Sequence, residues 1–271
     1  MTHDTHHNLP AALTIAGSEA TGGAGAQADL RTFQALGTFG VAALTCIVSF
    51  DPKNNWNHRL FTIDPDVLRD QLEAEFATHT FGAIKTGMLG TPALIEATAN
   101  VLQQQQVSNL VVDPVLICKG QEPGAALDTD NALKQHILPK AAFITPNHFE
   151  AAALSGMESI ATEQELIEAA QRIHDAFGAT VMAKGGVRLE GPEAIDVFYD
   201  GSTLEVLREP KVGEHAVSGA GCSLAAAVTA QLAQGATHLE AARVAKKFVT
   251  QGIQQRMIVG TPFDVLRQTN R

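Results

Sequence analysis

The sequence predicts an α/β protein in which a mostly parallel sheet is covered by helices on both faces. Three observations carry this. Short apolar runs of strand length alternate along the chain with longer segments of helical pattern. The runs ALTIAGS (12–18), VAALTCIVS (41–49), AIKTGML (83–89), NLVVDP (109–114), AFITPN (142–147) and TVMAKGG (180–186) are nearly continuously apolar, as strands buried on both faces must be. The unusual chemistry falls where these runs end, at Gly17-Ser18, Thr86-Gly87-Met88, Asp113-Pro114, Thr145-Pro146-Asn147 and Lys184-Gly185-Gly186. Open α/β sheets bind ligands outside the carboxyl ends of their strands, so these residues share one rim.

The elements follow in order. The first strand runs into a Gly-rich turn and a helix over 24–36. The second is followed by the polar loop DPKNNWNH (51–58), which holds the only Trp. The helix over 64–78 opens with Asp64 as N-cap and Pro65 at its first position, and the helix over 91–106 opens in the same way with Thr91-Pro92. The strand over 109–114 leads into the loop KGQEPGA. AIDVFYD (194–200) reads as an antiparallel hairpin element, and Ala-rich helices over 220–234 and 238–256 close the chain. No repeat or low-complexity linker interrupts this pattern. The expectation is one domain over 11–260, with a disordered N-terminal tail (1–10) and a C-terminal tail (261–271). The segments 50–60 and 118–127 are candidate flaps.

Composition narrows the function. The 271 residues are 45% hydrophobic and 18% charged, which are globular values. A net charge of −10 speaks against a nucleic-acid partner, which needs a basic stripe. It leaves room for a local phosphate site made of backbone N–H groups and one or two cations. The N-terminus carries no basic and apolar signal-peptide regions, and no apolar run is long enough to span a bilayer, so no membrane partner is expected. Three cysteines, Cys46, Cys118 and Cys222, do not make a disulfide framework and fit a reducing cytoplasm. His3, His6 and His7 read as a polar terminus.

Ser218-Gly219-Ala220-Gly221-Cys222 before an Ala-rich helix suggests an anion hole. The glycines turn backbone N–H groups inward, and the helix adds its positive end. The same field is expected to favour the Cys222 thiolate, which then takes a proton from a substrate hydroxyl. The alternative is a packing turn with an inert buried thiol. The loop AGSEATGGAGAQAD (16–29) does not fit a dinucleotide fingerprint; it lets a ring approach the backbone or simply turns strand into helix. Asp113, Asn147 and Glu150 place three oxygen-bearing side chains on the rim and suit Mg²⁺ beside nucleotide phosphates. Asn147 and Glu150 fit a helix capping box equally well. Lys184 is placed to reach phosphate oxygens or lies on the surface. Cys118, at the mouth of the rim, is core or a thiol able to add to an aldehyde, and Cys46 is core.

Taken together, these residues resemble the ribokinase-like superfamily, and within it the branch of hydroxymethylpyrimidine kinases and related pyridoxal kinases. The likeness runs in order through TIAGSEATGGAGAQADLRTF, IKTGMLGT, VVDPVLICKG, ITPNHFEAAALSG and GAGCSLAAA. It implies a three-layer α/β/α kinase with small flap loops, and a homodimer. Gly219, Ala220, Gly221 and Cys222 would form the anion hole, with Cys222 as base. Asp113 and Glu150 would organise Mg²⁺. Lys184, Asn147, Thr145, Ser218, Gly219 and Gly221 would hold ATP. The substrate ring would lie over Ser18, Gly23, Asp29, Val48 and Met88, with Cys118 beside it and the flap 50–58 above. Ser218 stands where the branch usually has His, and Glu19 where it often has Asp. The Gln-Asn pair common after the second strand in the pyrimidine kinases is replaced by Val48-Ser49-Phe50. That substitution, with the Cys-Lys-Gly loop at 118–120, implies an ATP- and Mg²⁺-dependent kinase of the 5-hydroxymethyl group of pyridoxal, also acting on pyridoxine and pyridoxamine. A hydroxymethylpyrimidine or phosphomethylpyrimidine kinase is the alternative.

Overall fold

The computed structural model describes residues 9–105, 107–116 and 123–269, and for 123–125 only the backbone. The elements are β1 (Ala11–Glu19), α1 (Gly25–Ala35), β2 (Phe39–Asp51), β3 (Asn57–Thr62), α2 (Pro65–Thr78), β4 (Ala83–Thr86), α3 (Pro92–Gln104) and β5 (Leu110–Val112). They continue with α4 (Pro123–His136), a 3₁₀ turn (Leu138–Lys140), β6 (Phe143–Ile144), α5 (His148–Ser155), α6 (Glu163–Phe177), β7 (Thr180–Lys184), β8 (Glu193–Tyr199), β9 (Leu204–Pro210), α7 (Ala220–Ala233) and α8 (His238–Gln254).

One sheet in the order β3-β2-β1-β4-β5-β6-β7-β8-β9 spans the molecule. Its interior from β2 to β7 is parallel, whereas β3, β8 and β9 pair antiparallel at the two edges. Side chains alternate across this sheet. Leu13, Ile84, Val112, Ile144 and Val181 face one core with Leu68, Leu94, Ile95, Leu166 and Ile173 of the helices. Ala83, Val111, Phe143, Met182 and Phe198 face the other, with Leu224, Val228 and Phe248 of α7 and α8. Burial on both faces explains the continuous apolar runs. The N-cap of α2 is Asp64, whose side chain accepts the Asp66 N–H, and Thr91 caps α3 in the same way at Leu94.

Two segments differ from the sequence expectation. The polar loop at 51–58 is the tip of a β2–β3 hairpin, and β3 reaches back along β2 from Asn57 to Thr62. Its Asn and Trp content hides a strand that pairs only at the sheet edge. The C-terminal segment is no loose tail. Val265 bridges both Ser218 and Met257, Leu266 is fully buried, and Arg256 Nε lies 2.7 Å from Asp264 Oδ2. Two apolar residues near a chain end carry no periodic signal, yet they fill the space between α8 and the loop before α7. The segment 1–8, with its three histidines, lies outside the described residues.

Candidate active site

Two cavities lie side by side along the carboxyl ends of the parallel strands. The larger, about 480 Å³, is lined by Asp113, Asn147, Glu150, Lys184 and the start of α7 from Gly219 to Cys222. The smaller, about 360 Å³, is lined by Gly17, Val48, Phe50, His58, Met88 and Phe263. Val115, Ala216, Val217 and Cys222 line both. The Cys222 thiol therefore stands at the junction of a chamber that holds the charged side chains of Asp113, Glu150 and Lys184 and a chamber that holds the rings of Phe50, His58 and Phe263.

The start of α7 is open to an anion. Its N-cap, Gly219, has φ 80° and offers no side-chain cap, and no acidic residue occupies the first turn. The Ala220 N–H donates to the Val217 carbonyl, and the N–H groups that follow it at the positive end of this 14-residue helix face the chamber. A Cβ at Gly219 would overlap the Gly23 carbonyl oxygen, so the two Gly-rich loops meet only because no side chain intervenes. The loop after β1 is held in shape by Glu19. Its carboxylate accepts the N–H groups of Thr21 (2.8 Å), Gly23 (2.8 Å) and Ala24 (3.0 Å).

Lys184 ends β7 and bridges to Asn147, its own N–H donating to the Pro146 carbonyl at 2.9 Å. Its Nζ lies 3.2 Å from Asp113 Oδ1, and 3.5 Å from where a Cβ at Gly221 would stand. Burial acts to lower this ammonium, but Asp113 and Glu150 outweigh it and hold it above its ordinary value. The capping box at α5 is formed. Asn147 Oδ1 accepts the N–H groups of Phe149 and Glu150, and Glu150 Oε2 accepts the Asn147 N–H at 2.7 Å. Both residues also line the larger chamber. Burial pushes the Glu150 carboxyl up to about 8, against the pull of Lys184 and with the push of Asp113.

The state of Cys222 departs from the sequence expectation. Burial pushes its thiol up to about 11; Lys85 opposes this, and Asp29 and Asp113 add to it. The helix field that was to favour the thiolate is outweighed by desolvation.

Several other placements are corrected. Asp29 is fully buried and lines neither cavity; it is paired with Lys85 beneath the smaller one. Ser18 and Gly23 are also off the walls. Ser18 Oγ accepts from Gln27 Nε2 at 2.7 Å, and the Gly23 N–H is used by Glu19. Thr145 is fully buried and touches the larger chamber only through Asp113, 3.5 Å away. Ser218 lines the smaller chamber rather than the larger. Val48 and Met88 line the smaller chamber, and Asp113, Asn147, Glu150, Lys184, Gly219, Ala220 and Gly221 line the larger. Cys118 lies outside the described residues. Sequence reasoning missed Lys85 and Phe263 as wall residues. A lysine inside the apolar run AIKTGML was the one available signal.

Comparison with known proteins bears on the family and the fold. A sequence profile described as phosphomethylpyrimidine kinase matches residues 19–265. A pyridoxine kinase of Bacillus subtilis (strain 168) is 47% identical over 90% of each chain. A hydroxymethylpyrimidine/phosphomethylpyrimidine kinase of the same strain is 35% identical over 92% of this chain and 91% of that one. The ADP complex of Bacillus subtilis pyridoxal kinase superposes with a TM-score of 0.91 at 44% identity, covering 96% of this chain and 97% of that one. The Staphylococcus aureus pyridoxal kinase in complex with AMP-PCP and pyridoxal gives 0.90 at 38% identity, over 98% and 96%. The fold is ribokinase-like, as the motifs implied, and the chain belongs to the phosphomethylpyrimidine kinase family.

Proposed function

We propose that the chain transfers the γ-phosphoryl group of ATP to the 5-hydroxymethyl group of pyridoxal, with pyridoxine and pyridoxamine as weaker acceptors. The observation that carries this reading is the position of Cys222. It stands beside an uncapped helix start, between a chamber lined by Lys184, Asp113 and Glu150 and a chamber lined by Val48, Phe50, His58, Met88 and Phe263. The first chamber suits a triphosphate and the second a flat heteroaromatic ring. Greater identity to a pyridoxine kinase than to a pyrimidine kinase supports the choice of acceptor.

In the reaction, the backbone N–H groups at the start of α7 meet the charge that develops on the transferring phosphoryl group. Lys184 reaches phosphate oxygens beside Gly221. Cys222 faces the acceptor hydroxyl and takes its proton, while the apolar wall of the smaller chamber excludes water. Asp113 and Glu150 fit Mg²⁺. They offer two hard oxygen donors in one chamber, and Glu150 is held at about 8 by burial with a second carboxylate nearby, a state a cation relieves. Among the described residues no group of three or more His, Cys, Asp or Glu could hold a metal alone. When bound, the ion would neutralise charge on the substrate phosphates. A homodimer in the cytoplasm belongs to the same reading; among the described residues no helix is long and apolar enough to cross a membrane.

The test is steady-state kcat/KM with ATP for pyridoxal, pyridoxine and hydroxymethylpyrimidine side by side. Pyridoxal is expected to lead by about tenfold or more, roughly 1.4 kcal/mol of transition-state binding. A lead for hydroxymethylpyrimidine would assign the protein to the pyrimidine substrate instead.

A further inference from the structure

Beneath the acceptor chamber lies an ion pair that the mechanism above does not use. Lys85, on β4, and Asp29, on α1, have fully buried side chains with Nζ and Oδ2 2.9 Å apart. Thr14 Oγ1 donates to the same Oδ2 at 2.7 Å, so that oxygen accepts two donors as a carboxylate does. Oδ1 is buried with no hydrogen-bond partner. Placing two ions in a core is costly, and an apolar pair of the same volume is often as stable or more so. The pair is therefore better explained by what it faces than by stability. Lys85 lines the acceptor chamber together with Cys222, and its Nζ lies 3.0 Å from where a Cβ at Gly87 would stand, on the wall of that chamber.

We propose that Lys85 is a positioning residue for Cys222: its buried ammonium, held in place by Asp29, supplies the positive charge that faces the sulfur when it takes the acceptor proton. In that step the thiolate sulfur gains the hydroxyl proton. The freed oxygen forms its bond to the γ-phosphorus, and the bond from phosphorus to the β-phosphate oxygen breaks, its electron pair leaving with ADP. The thiol then returns its proton to solvent. Charged and titratable groups reach the two chambers that meet at Cys222, or the core beneath them, from several elements. Asp29 comes from α1, Lys85 from β4, Asp113 from the end of β5 and Lys184 from β7 beside Gly221; Glu19 and His58 line one chamber and His215 the other. Of the charges acting on Cys222, Lys85 is the main one that favours the thiolate, and Asp29 is the first of those that oppose it. Burial acts to lower the Lys85 ammonium itself, but Asp29, Cys222 and Asp113 outweigh it and keep it charged.

This inference rests on the kinase reading, and its test separates the two. The variants are Lys85→Met, Asp29→Asn and the double variant with a neutral pair. For each, the rate of Cys222 alkylation by iodoacetamide is followed against pH, resolved by mass spectrometry, beside kcat/KM for pyridoxal. Lys85→Met is expected to move the alkylation profile to higher pH by about one unit or more and to cut the rate at pH 8 about tenfold. Asp29→Asn removes the negative charge that opposes the thiolate, while Asp113 and the thiolate itself still favour the charged ammonium, and is expected to move the profile the other way. The double variant should lie between them, and kcat/KM should follow the same order. Profiles that stay in place, or that move in the same direction in both single variants, overturn the proposal, because a merely structural pair gives no opposite signs. Where Lys85→Met fails to fold, Asp29→Asn decides: a shift to lower pH supports the proposal, and none or an opposite shift overturns it. Absence of phosphorylation in the wild type would defeat the kinase reading, while alkylation would still judge the charge.

Discussion

Lys184 Nζ lies 3.2 Å from Asp113 Oδ1, closing the floor of the larger chamber beside the start of α7. One cation thus balances a carboxylate and still reaches the place where a phosphoryl group would sit. Lys184→Ala is expected to lower kcat with ATP by about 10²–10³, the usual loss for one donor to developing charge. Lys184→Arg should not restore it, because a planar fork does not replace a point charge in this space. Steady-state kinetics and ADP affinity check both statements.

Cys222→Ala is expected to lose most of kcat while keeping nucleotide affinity, since the helix start and Lys184 remain. The wild-type pH profile follows from the buried thiol. With its titration pushed up to about 11, the thiolate fraction grows across the whole neutral and alkaline range. The kcat/KM for pyridoxal should therefore climb from pH 7 to pH 9 without a plateau. A flat profile would remove Cys222 as the base and leave it a contact at the junction.

Cys118→Ala should weaken pyridoxal much more than pyridoxine, because only the former carries an aldehyde that a thiol adds to. Parallel kcat/KM measurements decide this, and equal losses rule out the adduct.

Phe263 comes from the C-terminal segment and lines the acceptor chamber, its ring centroid 5.7 Å from that of Phe50. Phe263→Ala should raise KM for pyridoxal about three- to tenfold, from roughly 0.5–1.5 kcal/mol of aromatic contact, with the ATP constant nearly unchanged.

Glu75 of α2 lies far from this chemistry and reports on stability. Partial burial pushes its carboxyl up to about 7, and its Oε2 is buried with no hydrogen-bond partner. The folded state holds this proton more tightly than the unfolded one. Its contribution is therefore present below the unfolded value of 4.5 and is lost as pH rises through about 7. Glu75→Gln should raise Tm by a few degrees at pH 8 and by little at pH 4.5, as thermal melts will show.

The layer architecture is legible in the amino-acid pattern, because period and run length are local properties. Strands buried on both faces must be continuously apolar, and Asp64-Pro65 and Thr91-Pro92 mark helix starts wherever they fold. The same pattern placed Asp113, Asn147, Lys184 and Gly219 to Cys222 on one rim, since each follows a strand or begins a helix. Tertiary structure alone decided which of them face a chamber. Asp29 looks like a loop-adjacent acid in the sequence, but it pairs with a lysine 56 residues away and disappears into the core. Phe263 and Leu266 look like a tail; instead Phe263 lines the acceptor chamber and Leu266 is buried in the core with α7 and α8. The Cys222 thiol carries the same lesson: a helix start and Lys85 favour the thiolate, and burial together with the charges of Asp29 and Asp113 on other elements reverses the balance. Desolvation and charge pairing depend on which distant segments pack together, and no local pattern records that.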